Sequence, residues 1–238
     1  MENKIQQFKQ LVNKCDNIVF FGGAGVSTES GIPDFRSKDG LYNQQYKYPP
    51  ETILSHTFFM NKTEEFFKFY KLKMNSLKYQ PNITHIKLAE LETKGKLKAV
   101  ITQNIDGLHQ KAGSKVVYEL HGSVLRNYCM NCNKFYDAEY VFNSNGIPRC
   151  SCGGIIKPDV VLYEEGLDEE TIENSIYAIQ KADLLIVAGT SLTVQPASGL
   201  INFFRGRNLV LINRDSTPYD NKANLVINDS LGKVFSNL

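Results

Sequence analysis

Apolar residues along this chain fall into short continuous runs separated by longer stretches with helical spacing. Ile5, Phe8, Leu11, Val12 and Cys15 recur at intervals of three and four, which predicts an amphipathic helix over residues 3–15. It leads into Asn17-Ile18-Val19-Phe20-Phe21, a β-branched and aromatic run that reads as a buried strand. Further strand signals lie at 97–101, 116–120, 183–188, 208–212 and 225–227, with helical patterns at 84–93, 107–112, 168–181 and 195–204. Strands alternating with helices predict a parallel sheet covered on both faces, an α/β, Rossmann-like, doubly wound architecture.

Two segments interrupt the alternation. Residues 43–80 carry Phe66, Phe67, Phe69, Tyr70, Leu72, Met74 and Leu77 at helical spacing, closed by Pro81, and read as a helical insertion with an aromatic packing stripe. Residues 127–156 hold four cysteines and little apolar periodicity. The expected organisation is a nucleotide-binding domain built from 1–42, 81–126 and 157–238, a helical insertion at 43–80 and a metal-binding module at 127–156. A cleft is expected between the lobes.

The first strand ends in Gly22-Gly23-Ala24-Gly25-Val26-Ser27-Thr28-Glu29-Ser30-Gly31-Ile32-Pro33-Asp34-Phe35-Arg36. Gly22, Gly23 and Gly25 allow a turn that side chains would block, with backbone N–H groups expected to face an anion such as a pyrophosphate. The third glycine of G-x-G-x-x-G is replaced by Thr28, and Ser30-Gly31-Ile32-Pro33 stops any helix early. The turn therefore opens into a polar, aromatic and cationic loop rather than a long helix.

Other strands also end in polar residues, and in an open parallel sheet ligands bind beyond the carboxyl ends of strands. The run at 97–101 is followed by Thr102-Gln103-Asn104-Ile105-Asp106, whose amides and carboxylate suit a carboxamide and ribose hydroxyls. The run at 116–120 ends at His121-Gly122, which makes His121 a general-base candidate. Gly189-Thr190-Ser191 and Asn213-Arg214 close two more strands. His56, His85 and His109 lie in the insertion or in helical patterns and have weaker claims.

Cys129-Met130-Asn131-Cys132 and, seventeen residues on, Cys150-Ser151-Cys152 form two close thiol pairs. Such pairs converge on one tetrahedral zinc ion, and four thiolates leave no open position for water, so the zinc is expected to be structural. The second pair is C-x-C, one residue tighter than usual. Cys15 reads as a core thiol.

These stretches together resemble the sirtuins, the NAD-dependent protein-lysine deacylases, over nearly the whole chain. GAGVSTESGIPDFRS, TQNIDGLH, HGS, the paired cysteines, KPDVVLYEEGL, AGTSLTV and the LIN strand occur in family order. The resemblance implies that Gly23, Ala24, Gly25, Thr28, Asp34, Phe35 and Arg36 line an NAD site. Gln103 would lie at the nicotinamide ribose, and Asn104, Ile105 and Asp106 would form the nicotinamide pocket. Gly189, Thr190, Ser191, Asn213, Arg214 and Leu231 would fall on the adenosine and phosphate side. His121 would be the general base, also touching the co-substrate. The implied reaction is deacetylation of acetyl-lysine proteins, with release of nicotinamide and O-acetyl-ADP-ribose. The substrate would bind as an extended peptide between residues 160–166 and 189–194. ADP-ribosyl transfer to protein and removal of longer or acidic acyl groups are the alternatives within the resemblance.

Two departures bear on substrate. The family's Phe-Gly-Glu appears here as Tyr163-Glu164-Glu165. Where desuccinylating members carry Tyr-x-x-Arg, this chain has Tyr70-Lys71-Leu72-Lys73, and a lysine cannot grip a carboxylate bidentately, which favours acetyl. Composition adds exclusions. A net charge of +2 over 238 residues gives no reason to expect a nucleic-acid or membrane partner, and the basic stretch 62–98, nine Lys against four Glu, reads as a solvated helix surface. No apolar run reaches membrane-span length and no signal-peptide core is evident, so a cytoplasmic protein is expected.

Overall fold

The computed structural model describes residues 2–34 and 47–238. Helix α1 (Glu2–Lys14) buries Ile5, Phe8 and Val12, and the Lys96 ammonium closes its end by donating to the carbonyls of Asn13 and Cys15. Strand β1 (Ile18–Gly22) follows, buried along its whole length. Two short 3₁₀ turns, Ala24–Val26 and Thr28–Ser30, then replace the long helix of a dehydrogenase-type turn.

Helices α2 (Pro50–Ile53), α3 (His56–Asn61) and α4 (Thr63–Lys73) form the helical insertion. Helix α5 (Ile83–Thr93), strand β2 (Leu97–Thr102), helix α6 (Leu108–Ala112) and strand β3 (Val117–Glu119) return to the main sheet. Strands β4 (Gly122–Cys129), β5 (Phe135–Asp137) and β6 (Ile156–Val160), with helix α7 (Ala138–Asn143), build a small antiparallel sheet. Helix α8 (Glu169–Lys181), capped by the Asp168 carboxylate on Thr171 N–H, precedes strand β7 (Leu184–Ala188). Strands β8 (Asn208–Ile212) and β9 (Leu225–Ile227) and helix α9 (Leu231–Phe235) complete the chain.

The main sheet has the order β3-β2-β1-β7-β8-β9, with every pair parallel, as the alternation predicts. Strand order runs one way from β1 to β3 and the other way from β7 to β9, so the switch point lies between β1 and β7. Side chains of β1 alternate between the two faces. Ile18 and Phe20 pack with Phe8, Leu88, Ile186 and Phe235, while Val19 and Phe21 pack with Ile101, Ile179, Leu185 and Val187. A third core lies outside the sheet. Phe59, Phe66, Phe67 and Tyr70 of the helical insertion share it with Val124, Cys129, Val141, Cys150 and Ile156 of the small sheet and its metal-binding end.

One predicted element differs. Residues 195–204 form a 3₁₀ helix at Ala197–Phe203 rather than an α-helix. Pro196 precedes it, and Ser198, Gly199 and Asn202 are all weak α-helix formers. Among the described residues no helix is long and apolar enough to cross a membrane.

Candidate active site and metal centre

At the switch point, strand ends from both halves of the sheet open into a cleft of about 610 Å³ that reaches the helical insertion and β6. Ala24, Gly25, Thr28, Asp34, Gln103, Asn104, Ile105, Asp106, His121, Gly189, Thr190, Ser191, Asn213, Arg214 and Leu231 all line it. Gly23 does not line it. Phe35 and Arg36 fall outside the described residues.

The glycines do something other than expected. Gly23 N–H donates to Ala188 O at 3.3 Å and Gly25 N–H to Gly189 O at 2.8 Å, while Val26 and Ser27 N–H close the turn onto Gly23 and Ala24 carbonyls. The anticipated row of anion-facing N–H groups is thus mostly spent on tying β1 to β7, and Ala24 N–H is left without an acceptor among the described residues. Close approach is what requires glycine. A Cβ at Gly25 would sit 2.8 Å from Gly189 Cα, and one at Gly189 2.5 Å from Val26 N.

His121 is set by its neighbours on both sides. Its Nδ1 lies 2.9 Å from Gln103 O, and because a carbonyl only accepts, Nδ1 carries the proton and Nε2 keeps its lone pair. Burial lowers the imidazole pKa against the opposing pull of that hydrogen bond, so the ring is neutral near pH 7. Val161 N–H donates to His121 O at 3.0 Å. Arg126 pairs with Glu119 at 2.6 Å and Asp159 at 2.7 Å, bracing the end of β3 against β6 around the histidine. An imidazole whose Nε2 has no hydrogen-bond partner among the described residues therefore borders the cleft.

Beyond β2, a residue the sequence reading did not select organises the polar wall. Ser27, 1% exposed, donates to Asp106 Oδ2 at 2.6 Å and accepts from Asn104 Nδ2 at 3.1 Å. Burial pushes the Asp106 carboxyl up, while the Ser27 hydroxyl and Leu108 N–H pull it back. Ser76 Oγ adds a hydrogen bond to Asp106 O at 3.0 Å. The 27–106 pairing spans 79 residues, so no local pattern could have revealed it. On the other half, Asn213 commits both amide atoms to Thr190, accepting from its N–H at 3.0 Å and donating to its carbonyl at 2.8 Å. Gln103 Nε2 donates to Thr190 Oγ1 at 3.1 Å, and Arg214 pairs with Asp34 at 3.7 Å. Tyr70 and Lys73 also reach the cleft, and the Tyr70 hydroxyl is buried without a hydrogen-bond partner among the described residues.

The four cysteines converge. Cys129, Cys132, Cys150 and Cys152 place their sulfurs within 4.8 Å of one another. Three of the S···S separations are 3.5, 3.6 and 3.5 Å. A tetrahedral ion with Zn–S near 2.3 Å demands S···S of about 3.8 Å, so the donor set fits zinc. The tight C-x-C pair works because the chain turns back at once, with Gly153 at φ +85° and Cys150 N–H donating to Gly154 O at 2.8 Å.

Comparison with known proteins agrees with this geometry. A model of the Sir2 family matches residues 23–196, and the chain belongs to that family. An NAD-dependent protein deacetylase of Clostridium acetobutylicum is 62% identical over 236 residues, covering 98% of this chain and 96% of the relative. A Sir2 histidine-to-alanine variant solved with deacetylated p53 peptide and 3′-O-acetyl ADP ribose superposes with a TM-score of 0.90 at 39% identity, over 98% of this chain and 96% of that one. A Sir2–p53 peptide–NAD⁺ structure gives a TM-score of 0.86 at 40% identity, over 98% and 95% of the two chains.

Proposed function

We propose that this chain is an NAD-dependent protein-lysine deacetylase that binds acetyl-lysine segments as extended peptides. The observation that carries the reading is the neutral His121 at the cleft, its Nδ1 proton fixed on Gln103 O and its Nε2 free to take a proton. The cleft fits a dinucleotide in its chemistry. Ala24 N–H is an open donor beside Gly25, Thr28 and Ser191 offer hydroxyls, and Asn104 and Asp106 present a carboxamide-matching pair. NAD would be held by Ala24, Gly25 and Thr28 at the phosphates, by Gln103, Asn104, Ile105 and Asp106 at the nicotinamide end, and by Gly189, Thr190, Ser191, Arg214 and Leu231 at the adenosine end. Bound there, it supplies an electrophilic ribose carbon and a leaving nicotinamide.

The chain's own contributions follow from position. His121 removes a hydroxyl proton at Nε2, and its carbonyl and ring are both tied down, so little reorganisation is needed when that proton moves. Ser27 orients Asn104 and Asp106 as one unit. Leu162, Met74 and Ile105 give the acyl side an apolar lining that excludes water. Lys73 offers one point charge rather than a fork, which favours neutral acetyl over dicarboxylic acyl groups. The four cysteine sulfurs would hold a zinc ion, whose chemistry there would be structural.

Incubation with NAD and acetyl- or succinyl-lysine peptides, followed by mass spectrometry, tests this. The expected products are deacetylated peptide, nicotinamide and O-acetyl-ADP-ribose, with acetyl preferred. ADP-ribosylated protein in place of deacetylated peptide would overturn the reading.

A further inference from the structure

The loop after β6 carries a charge that the rest of the site does not use. Glu164 lines the cleft in a left-handed conformation, φ +76°, which residues other than glycine seldom adopt. The loop is held in place around it. Tyr163 N–H donates to Leu54 O at 3.0 Å, His56 N–H to Tyr163 O at 2.9 Å, and Thr57 N–H to Glu164 Oε2 at 2.9 Å. The neighbouring Glu165 has its charge matched. Lys157 Nζ lies 3.1 Å from one oxygen and His56 Nδ1 2.9 Å from the other, with Leu162 N–H donating as well.

Glu164 has no such match. Its bonded partner is Thr57, through the backbone N–H and the side-chain hydroxyl, both neutral donors, while the Lys157 ammonium and the His56 ring bond to Glu165 and His56 acts on Glu164 only through space. The second loop expected to flank a bound peptide, residues 189–194, contains no charged side chain. An exposed carboxylate therefore stands at the cleft with no cation bonded to it among the described residues.

We propose that Glu164 is a specificity-determining residue that favours acylated peptides bearing a cationic side chain close to the acyl-lysine. The proposal rests on the deacetylase reading and adds a substrate class to it. Exposed ion pairs are weak and salt-sensitive, so the preference is modest and set mainly in KM rather than kcat. Three acetyl-lysine peptides differing only in Arg, Gln or Glu at the flanking positions provide the test. At low salt the Arg peptide is expected to exceed the Glu peptide in kcat/KM by about fivefold, the upper range for an exposed pair. Raising salt to about 0.5 M should flatten that ratio, since screening then acts over a few ångströms. Glu164→Gln should bring the ratio near one, and Glu164→Lys should invert it. A ratio unchanged in Glu164→Gln, or indifferent to salt, overturns the assignment while leaving deacetylation intact. Failure of the wild type to deacetylate any of the three would instead overturn the underlying activity.

Discussion

Gly122 follows the candidate base directly, and the structure says what an added methyl would do there. Its φ is +72°, and a Cβ would lie 2.0 Å from Asp159 O, 2.9 Å from Asp159 C and 3.2 Å from Val160 Cα. All three are backbone atoms of β6, so no side chain can swing aside. The first contact is roughly 1.4 Å short of an ordinary 3.4 Å approach, and β4 and β6 must part where Gly122 pairs with Val160. Left-handed placement of an alanine costs about 1–2 kcal/mol and an unyielding clash about 1–3 kcal/mol more, so Gly122→Ala should lose about 2–5 kcal/mol. For a chain of this size that is a fall in Tm of about 4–20 °C. His121 moves with the strand, and a misplacement near 1 Å is worth about 10²-fold in turnover. Gly95→Ala is the control, because Gly95 has φ +71° but nothing within 4 Å of its would-be Cβ. It should show the conformational cost of about 1–2 kcal/mol alone. Thermal unfolding and single-turnover deacetylation of both variants decide the matter. If Gly122→Ala matches Gly95→Ala in Tm and keeps wild-type turnover, the steric argument is wrong.

The remaining predictions concern the base, the metal and pH. His121→Asn should lower single-turnover deacetylation by about 10²–10⁴ while NAD affinity by calorimetry stays within a few-fold, and retained turnover would remove His121 from its role. Cys129→Ser, or chelation, should lower zinc content and Tm together, because Cys129 and Cys150 share a core with Phe66 and Tyr70. An unchanged Tm in metal-free protein would contradict that. Acid should destabilise the fold through His85 and His109, which are buried and, among the described residues, leave His85 Nε2 and both His109 ring nitrogens without a hydrogen-bond partner. Burial takes His85 from 6.5 to about 4, and burial followed by the charge of His85 takes His109 well down. The unfolded chain then binds more protons than the folded one, so stability is full above pH 6.5 and falls as pH drops towards 4. His85 alone accounts for roughly 3 kcal/mol. Asp106, raised by burial, works in the opposite sense above the ordinary carboxylate range and blunts the effect. Urea midpoints between pH 7.5 and 4.5 measure it, and a flat profile would refute it.

Much of the main sheet was legible because its determinants are local. Five-residue apolar runs such as Leu184–Ala188 are buried on both faces and leave a continuous hydrophobic signature. The polar residues that cap those runs fall at the carboxyl edge automatically, which is why Gln103, Asn104, His121 and Thr190 meet at one cleft. The antiparallel sheet was not predicted. β4 mixes Ser123, Arg126 and Asn127 with apolar residues, and its partner β6 lies beyond the cysteine loops and contains Pro158. Long-range polar pairing was equally silent. Ser27 looks like a turn residue until Asp106 is brought beside it, and the direction of the Gly23 and Gly25 N–H groups depends on where β7 lies.

The core shared by the helical insertion and the cysteine-bearing sheet divides the molecule differently from chain order. Phe142 stacks on Tyr70 at 5.6 Å, and the Lys71 ammonium donates to Ser144 O and Gly146 O just past α7. Residues some seventy positions apart thus form one energetic unit, whereas the Phe8–Phe235 packing under the main sheet belongs to another. Substitutions at Tyr70 and Phe142 are neighbours in a thermodynamic cycle and will not add, while either combined with one at Phe8 will. The part of the cleft wall to which Tyr70 belongs is therefore epistatic with the cysteine-bearing sheet, and variation at either has to be read jointly with the other.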